Sequence, residues 1–170
     1  TITTVAGSDP MGFDEAYTFE FFCTSLKVTN EELLMGDWLK GPAGTNDIDW
    51  YTGYVGRTDV LTGCLAESWD LVDDTTVVFH LRHGVHYAVN LDSEASRLVN
   101  GREVTAEDVV FSQTRTWETP SSLINILYPP EQRLVSIKAL DKYTGECKGP
   151  SQACGLVWWT TAEQCRIIPP

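Results

Sequence analysis

The stretch that decides the fold reads Asn100-Gly101-Arg102-Glu103-Val104-Thr105-Ala106-Glu107-Asp108-Val109-Val110-Phe111-Ser112. Its first two residues are typical of a tight turn. Thr105, followed three positions later by Asp108, predicts a helix that begins with a reciprocal capping box. Glu107 and Asp108 also favour the positive end of that helix. We expect the helix to continue to about Trp117, because Thr119-Pro120 stops it.

Upstream of this helix, two β-rich runs predict a hairpin. They are Ala66-Glu67-Ser68-Trp69-Asp70-Leu71-Val72 and Thr76-Val77-Val78-Phe79-His80-Leu81-Arg82, separated by an acidic turn at Asp73-Asp74. Trp69 and Phe79 are placed to pack one face of the hairpin. Residues 85–89 predict a further short strand and residues 90–102 a polar excursion. Downstream, residues 134–140 alternate as a strand does.

The N-terminal third combines a strand, helices and a long loop. Residues 2–6 are a β-branched run typical of a buried strand, and residues 15–26 carry apolar side chains at helical spacing. Asn30 is a good N-cap and predicts a second short helix that reaches about Trp38. Residues 41–63 show neither the two-residue period of a strand nor the 3.6-residue period of a helix. We therefore predict one long ordered loop.

Composition and charge limit the classes of protein to which this chain can belong. The chain has 170 residues, 42% of them hydrophobic, and is long enough for one lobe with a substantial core. Its net charge of −12 repels a phosphate backbone, so we expect no nucleic-acid partner. No apolar stretch approaches the ~20 residues needed to cross a bilayer. Thr1 is not preceded by a signal peptide, and we interpret it as a mature or trimmed end.

The cysteine pattern leaves alternatives open. Five cysteines are present, at Cys23, Cys64, Cys147, Cys154 and Cys165, so at least one is unpaired. One disulfide and free thiols are both compatible with this number. Zinc is disfavoured, because no spacing is Cys-x-x-Cys and no histidine lies near the three C-terminal cysteines.

Three blocks of sequence carry a family resemblance. They are Leu65-Ala66-Glu67-Ser68-Trp69, Val78-Phe79-His80-Leu81-Arg82-His83-Gly84-Val85 and the stretch from Asn100 to Ser112. Together, in this order and at this spacing, they resemble the peptide and nickel type (family 5) of extracytoplasmic solute-binding proteins that serve ABC importers. Ser8-Asp9-Pro10 and Phe13-Asp14 look like the start of that family, where a loop reaches the solute cleft.

The resemblance implies an α+β fold: a lobe like those of the type II periplasmic binding proteins, made of the first strand region plus an accessory subdomain. It implies that residues 1–145 form lobe one and that residues 146–170 are a return segment into it. The chain then looks like an N-terminal fragment, with the second lobe missing. We expect self-association through the surface that the missing lobe leaves open.

The function implied by the resemblance is capture of a peptide or similar small polar solute for presentation to an ABC permease. Such a protein works in the periplasm or outside the cell and is membrane-associated in its intact form. It is not an enzyme and needs no cofactor. The alternatives are a stand-alone binding or assembly module and, less favoured, a metal-dependent hydrolase.

Six residues are candidates for contact with the solute: Asp9, Asp14, Trp38, Trp50, Tyr51 and Tyr54. The two acids follow the first predicted strand, where one of them would meet a ligand amine. The four aromatic residues lie in or beside the long loop, and rings with a polar tip suit peptides or sugars. The alternative is that these rings pack the accessory subdomain.

Catalytic and metal chemistry have weaker signals. His80, His83 and His86 are spaced by three, but a strand followed by a turn does not bring such side chains together. The alternative is that two of them face solvent and one is half-buried. No Gly-x-Ser-x-Gly elbow or phosphate-binding glycine loop is present. We therefore expect no metal site and no catalytic residues.

Overall fold

The computed structural model describes residues 14, 16, 17, 30–41, 44, 45, 47, 48, 58–150, 162 and 165–170. The strands are β1 (Leu34–Gly36), β2 (Leu61–Gly63), β3 (Ala66–Asp73), β4 (Thr76–Leu81), β5 (Ser136–Asp141) and β6 (Thr144–Lys148). The helices are α1 (Glu94–Val99), α2 (Ala106–Glu118) and α3 (Leu123–Leu127). Short 3₁₀ turns occupy Thr58–Val60 and Pro130–Gln132.

A four-stranded antiparallel sheet in the order β3-β4-β6-β5 forms the main layer. The predicted hairpin is confirmed as β3 and β4, with Trp69 directly opposite Phe79. Its turn is Asp74-Thr75, one residue later than the sequence indicates. The predicted strand at residues 134–140 is confirmed as β5. Its partner β6 was missed, because Gly145 and two charged residues dilute its apolar pattern.

Helix α2 packs across β5 and β6 and closes the core. The core is lined by Val77, Phe79, Leu81, Val104 and Val109, all nearly inaccessible to solvent. Burial of each of these side chains stabilises the fold by about 1.5 to 3 kcal/mol. The sheet and α2 thus make a two-layer unit whose other helix face remains open.

The stretch that predicts α2 is held by several side-chain and backbone contacts. Asn100 and Gly101 take left-handed conformations, with φ of 53° and 63°, and turn the chain toward the helix. The Asp108 carboxylate accepts the Thr105 N–H at 2.9 Å and both terminal nitrogens of Arg102. Burial opposes ionisation of Asp108, yet Arg102 and Thr105 outweigh it and hold its pKa below the ordinary value. The predicted capping box is confirmed.

The helix predicted from Asn30 to Trp38 is wrong: this segment contains strand β1, paired antiparallel with β2. Leu33 and Leu34 are adjacent and both fully buried, so the extended chain is covered on both of its faces. The Leu33 carbonyl also accepts the N–H groups of Cys64 and Ala66 at 3.0 Å. Pairing with distant residues therefore overrides the N-cap signal of Asn30.

The long loop predicted over residues 41–63 ends earlier than expected, since its last six residues form a 3₁₀ turn and β2. Residues 85–89 do not form the predicted strand; His86 makes a single bridge to Glu103. The excursion over residues 90–102 contains α1, capped by the Ser93 hydroxyl. This helix and α3 are too short to show a helical period in the sequence.

Several predictions fall outside the described residues. They include the strand at residues 2–6 and all of the helix predicted over residues 15–26 except Ala16 and Tyr17, which lie in a turn. Cys23 and Cys154 are also outside. Cys64 and Cys147 are free thiols, the first partly exposed and the second buried.

Candidate functional site

An open groove of about 580 Å³ runs along the face of α2 that points away from the sheet. Its floor is formed by Val110, Phe111, Thr114, Arg115 and Glu118. These positions are three and four residues apart and therefore share one side of the helix, opposite to the residues that pack on the sheet. The volume lies within the ~300 to 1,000 Å³ range of small-molecule sites.

The other side of the groove is lined by Tyr17, which belongs to a turn with Asp14 and Ala16, and by Thr119 and Pro120. Asp14 accepts two hydrogen bonds from the Arg115 guanidinium, one of them 2.7 Å long between Nη1 and Oδ1. The same carboxylate accepts the Ala16 N–H at 3.1 Å, and the Ser121 hydroxyl donates to the Ala16 carbonyl at 3.2 Å. Hydrogen bonding to Arg115 holds the Asp14 pKa below its ordinary value. These hydrogen bonds fix the turn both to α2 and to Ser121, which follows α2.

This arrangement presents Tyr17 beside the groove. The Arg115 guanidinium lies 5.1 Å from the centre of the Tyr17 ring, a cation–π contact. Tyr17 as a whole nevertheless stays 64% exposed, which leaves it accessible to a ligand. The groove therefore combines an aromatic rim, an apolar floor at Val110 and Phe111, and a guanidinium already balanced by Asp14.

The six residues predicted for solute contact are not brought together in one described site. Asp14 does not line the groove itself, but its carboxylate pairs with Arg115, which does. Trp38 is 53% exposed and lies just after β1, outside the residues that line the groove. Asp9, Trp50, Tyr51 and Tyr54 lie outside the described residues. That these side chains contact a solute stays a prediction.

Sequence reasoning missed Tyr17, Phe111 and Arg115. One signal was available: Val110 and Phe111 extend the apolar arc of α2 onto the face that a surface helix normally keeps polar. The pairing of Arg115 with Asp14 has no local signal, because the two residues are separated by 101 positions.

The three histidines make separate contacts. His80 Nε2 lies 2.9 Å from Asp70 Oδ2, the His83 ring stacks on Tyr143 with 3.9 Å between centroids, and His86 Nδ1 donates to the Gly101 carbonyl at 2.8 Å. His80 is half-buried and the other two are exposed, as the alternative interpretation of the spacing stated. Within the part of the chain that the structure describes, no three metal-ligating side chains converge.

Glu103, in the stretch from Asn100 to Ser112, forms structural hydrogen bonds. Its carboxylate accepts hydrogen bonds from Lys142 Nζ at 2.7 Å, from the Gly84 N–H at 2.7 Å and from the Tyr143 hydroxyl at 2.9 Å. The bond from Lys142, with help from the other two, lowers the Glu103 pKa to about 2. Glu103 thereby ties its own segment to the turn at Gly84 and to residues 142–143, which is a structural role.

Comparison with known proteins places this geometry in a fold family. No family model matches the chain. The dipeptide-binding protein of Escherichia coli is 42% identical over 62 residues, which are 36% of this chain and 10% of that protein. A DppA periplasmic binding protein of Helicobacter pylori, solved with the peptide STSA, superposes with a TM-score of 0.56 at 23% identity and covers 84% of this chain. NikZ of Campylobacter jejuni, solved with nickel and L-histidine, gives a TM-score of 0.60 at 17% identity over 95% of this chain.

The chain has the fold of the type II periplasmic binding proteins, and the resemblance to their peptide and nickel type is confirmed. These neighbours are solute-binding proteins of ABC transporters, not enzymes. This chain covers only 26% of each of the two solved structures and aligns with a tenth of the curated relative. Among the described residues, no helix has both the length and the apolar character required to cross a membrane.

Proposed function

We propose that this chain is part of a solute-binding protein that captures a peptide or a similar small polar solute for an ABC importer. In this proposal the groove between α2 and the turn at residues 14–17 forms one wall of the solute cleft. The observation that carries it is Tyr17, held beside an apolar floor by the Asp14–Arg115 pair and still mostly exposed.

The chemistry of the groove suits a solute that is captured without covalent change. Tyr17 and Phe111 offer aromatic surface, which contributes binding energy through burial, and Thr114 and Glu118 offer polar atoms that orient a ligand. Asp14 would act mainly by holding the turn in place. Trp38, together with the predicted Asp9, Trp50, Tyr51 and Tyr54, would contact the solute from the segments near the cleft.

The proposed organisation keeps residues 1–145 as lobe one with its accessory subdomain and residues 146–170 as its return segment. Backbone hydrogen bonds support the return: the Leu33 N–H donates to Ala162 and the Ile167 N–H to Glu31, at 3.1 and 3.0 Å. The Ile168 N–H donates to the Ser112 hydroxyl of α2 at 2.9 Å. The entering and returning segments thus lie side by side.

The rest of the proposal concerns the partner of the protein and its place of action. The partner is a membrane permease of the ABC type, and the place of action is the periplasm or the cell exterior, with the intact protein associated with the membrane. The relatives support this setting, since the Helicobacter protein is an ABC transporter-associated periplasmic binding protein.

The experiment is to titrate the chain with pools of di- to pentapeptides and to follow backbone amide shifts by NMR. We expect shifts in α2 residues 110–118 and at Tyr17, and at least a several-fold loss of affinity in Tyr17→Ala. Leu98→Ala, which trims another exposed side chain on α1, is the matched control. Peptide binding that maps elsewhere, or that Tyr17→Ala leaves intact, would refute the assignment of the groove.

A second candidate is a stand-alone binding or assembly module, favoured by a different surface. Val89, Leu91 and Leu98 on and beside α1 are 55%, 74% and 81% exposed. Neighbouring exposed apolar side chains promote association. Light scattering across a concentration series tests this: one monodisperse oligomer that Leu91→Glu dissociates supports the module. A monomer at every concentration, or open-ended association that Leu91→Glu leaves unchanged, counts against it.

A further inference from the structure

Glu118 is an acid in an unfavourable position. It is the last residue of α2, where the helix dipole is negative and a cation would be stabilising. Its carboxylate is exposed, and within the described part of the chain it forms no ion pair or hydrogen bond. Residues that break a local rule without a compensating contact tend to serve function rather than folding.

The cation nearest in sequence does not compensate Glu118. Arg115 precedes it by one helical turn and lines the same groove, but its guanidinium is directed to Asp14, with which it forms a two-bond ion pair. Among the described residues, Asp14 pairs with Arg115, and Glu118 is the acid that lines the groove without such a pairing. The apolar floor at Val110 and Phe111 lies about two helical turns from this charge.

We propose that the groove receives a primary ammonium group carried on an apolar stem, with the ammonium at Glu118 and the stem on Phe111. This inference rests on the proposed function and names the chemical class that this wall selects. The charge complementarity is reinforced by the chain's net charge of −12, which raises the local concentration of cations. An anionic group of the same shape is repelled by the same carboxylate.

The test uses three probes of equal length on the full chain: pentylammonium, pentan-1-ol and pentanoate, each titrated at physiological salt with backbone NMR detection. We expect pentylammonium to bind about two- to five-fold more tightly than pentan-1-ol, the range that an exposed ion pair supports. Pentanoate should bind more weakly than pentan-1-ol. The shifts should map to residues 110–118.

Three variants separate the contribution of the Glu118 charge from that of the apolar surface. Glu118→Gln should remove the preference for pentylammonium and leave pentan-1-ol binding unchanged. Glu107→Gln, an exposed acid at the opposite end of the same helix, alters net charge equally and should retain the preference. Phe111→Ala should weaken all three probes.

Equal binding of the three probes in the groove would overturn the cation preference while leaving the groove as the solute site. A preference that survives Glu118→Gln, or that Glu107→Gln removes as well, would also overturn it, because net charge alone would then explain it. If none of the probes perturbs residues 110–118, the inference fails, whereas the proposed function is still decided by the peptide titration.

Discussion

Asp108→Asn tests whether the family-like stretch is scaffold. Asp108 is only 1% exposed, and its carboxylate serves the Thr105 cap and the Arg102 fork at once. An asparagine side chain keeps one acceptor oxygen and replaces the other with an NH2 group. This NH2 group faces either Arg102 or Thr105, which are themselves donors, so one of the two hydrogen bonds is lost. Loss of half the cap costs about 1 kcal/mol. Loss of the charge-assisted bonds to Arg102, which is 40% exposed and therefore screened, adds about 1 to 2 kcal/mol.

The expected sum is about 2 to 3 kcal/mol of unfolding free energy, to be measured by urea unfolding followed by circular dichroism and tryptophan fluorescence. For a chain of this size the melting temperature should fall by about 4 to 12 °C. Glu107→Gln, one residue away and exposed, is the control and should change stability by less than about 0.5 kcal/mol. A double-mutant cycle with Arg102→Met should show coupling. If Asp108→Asn is no more destabilising than the control, the scaffold interpretation of this stretch is refuted.

Two further predictions follow from the environment of ionisable groups. Because the folded-state pKa of Glu103 is lowered to about 2 from 4.5, its stabilising effect is present above the unfolded value and is lost as the pH falls toward 2. Glu103→Gln should therefore flatten the acid limb of a stability profile measured between pH 5 and 2, and an unchanged limb would contradict this. Burial raises the Cys147 pKa to about 12, so its thiol should resist iodoacetamide at pH 8 in the native chain. The half-buried Cys64 should be alkylated before Cys147, as peptide mass spectrometry will show; faster modification of Cys147 would refute the burial argument.

The sequence signals that predicted α2 and the hairpin are local. The capping box at Thr105 and the stop before Pro120 lie within the helix that they delimit, so α2 was predictable to within a residue or two of its observed ends. The hairpin was predictable for a similar reason, since β3 and β4 are joined by a two-residue turn. The cluster of blocks that resembled a known family is made of these same local signals, which is why the fold class was correct.

The tertiary structure decided the features that depend on distant partners. Residues 34–36 became a strand because β2, more than twenty residues away, offered its edge and because Leu33 and Leu34 had to be buried on both sides. β6 was settled by insertion between β4 and β5, which pair with both of its edges. Neither contact has a counterpart in the local pattern of apolar residues.

The groove is also a feature that depends on contacts between distant residues. By itself the sequence determined one long helix with a cap at its start and a stop at its end, and one hairpin; that the protein has no nucleic-acid partner stays an expectation from its net charge of −12. Only the tertiary structure brought Asp14 to Arg115 across 101 positions and thereby set Tyr17 beside the outward face of α2. Helix caps act over one turn of chain, whereas an ion pair between remote segments exists only after packing has brought them within reach.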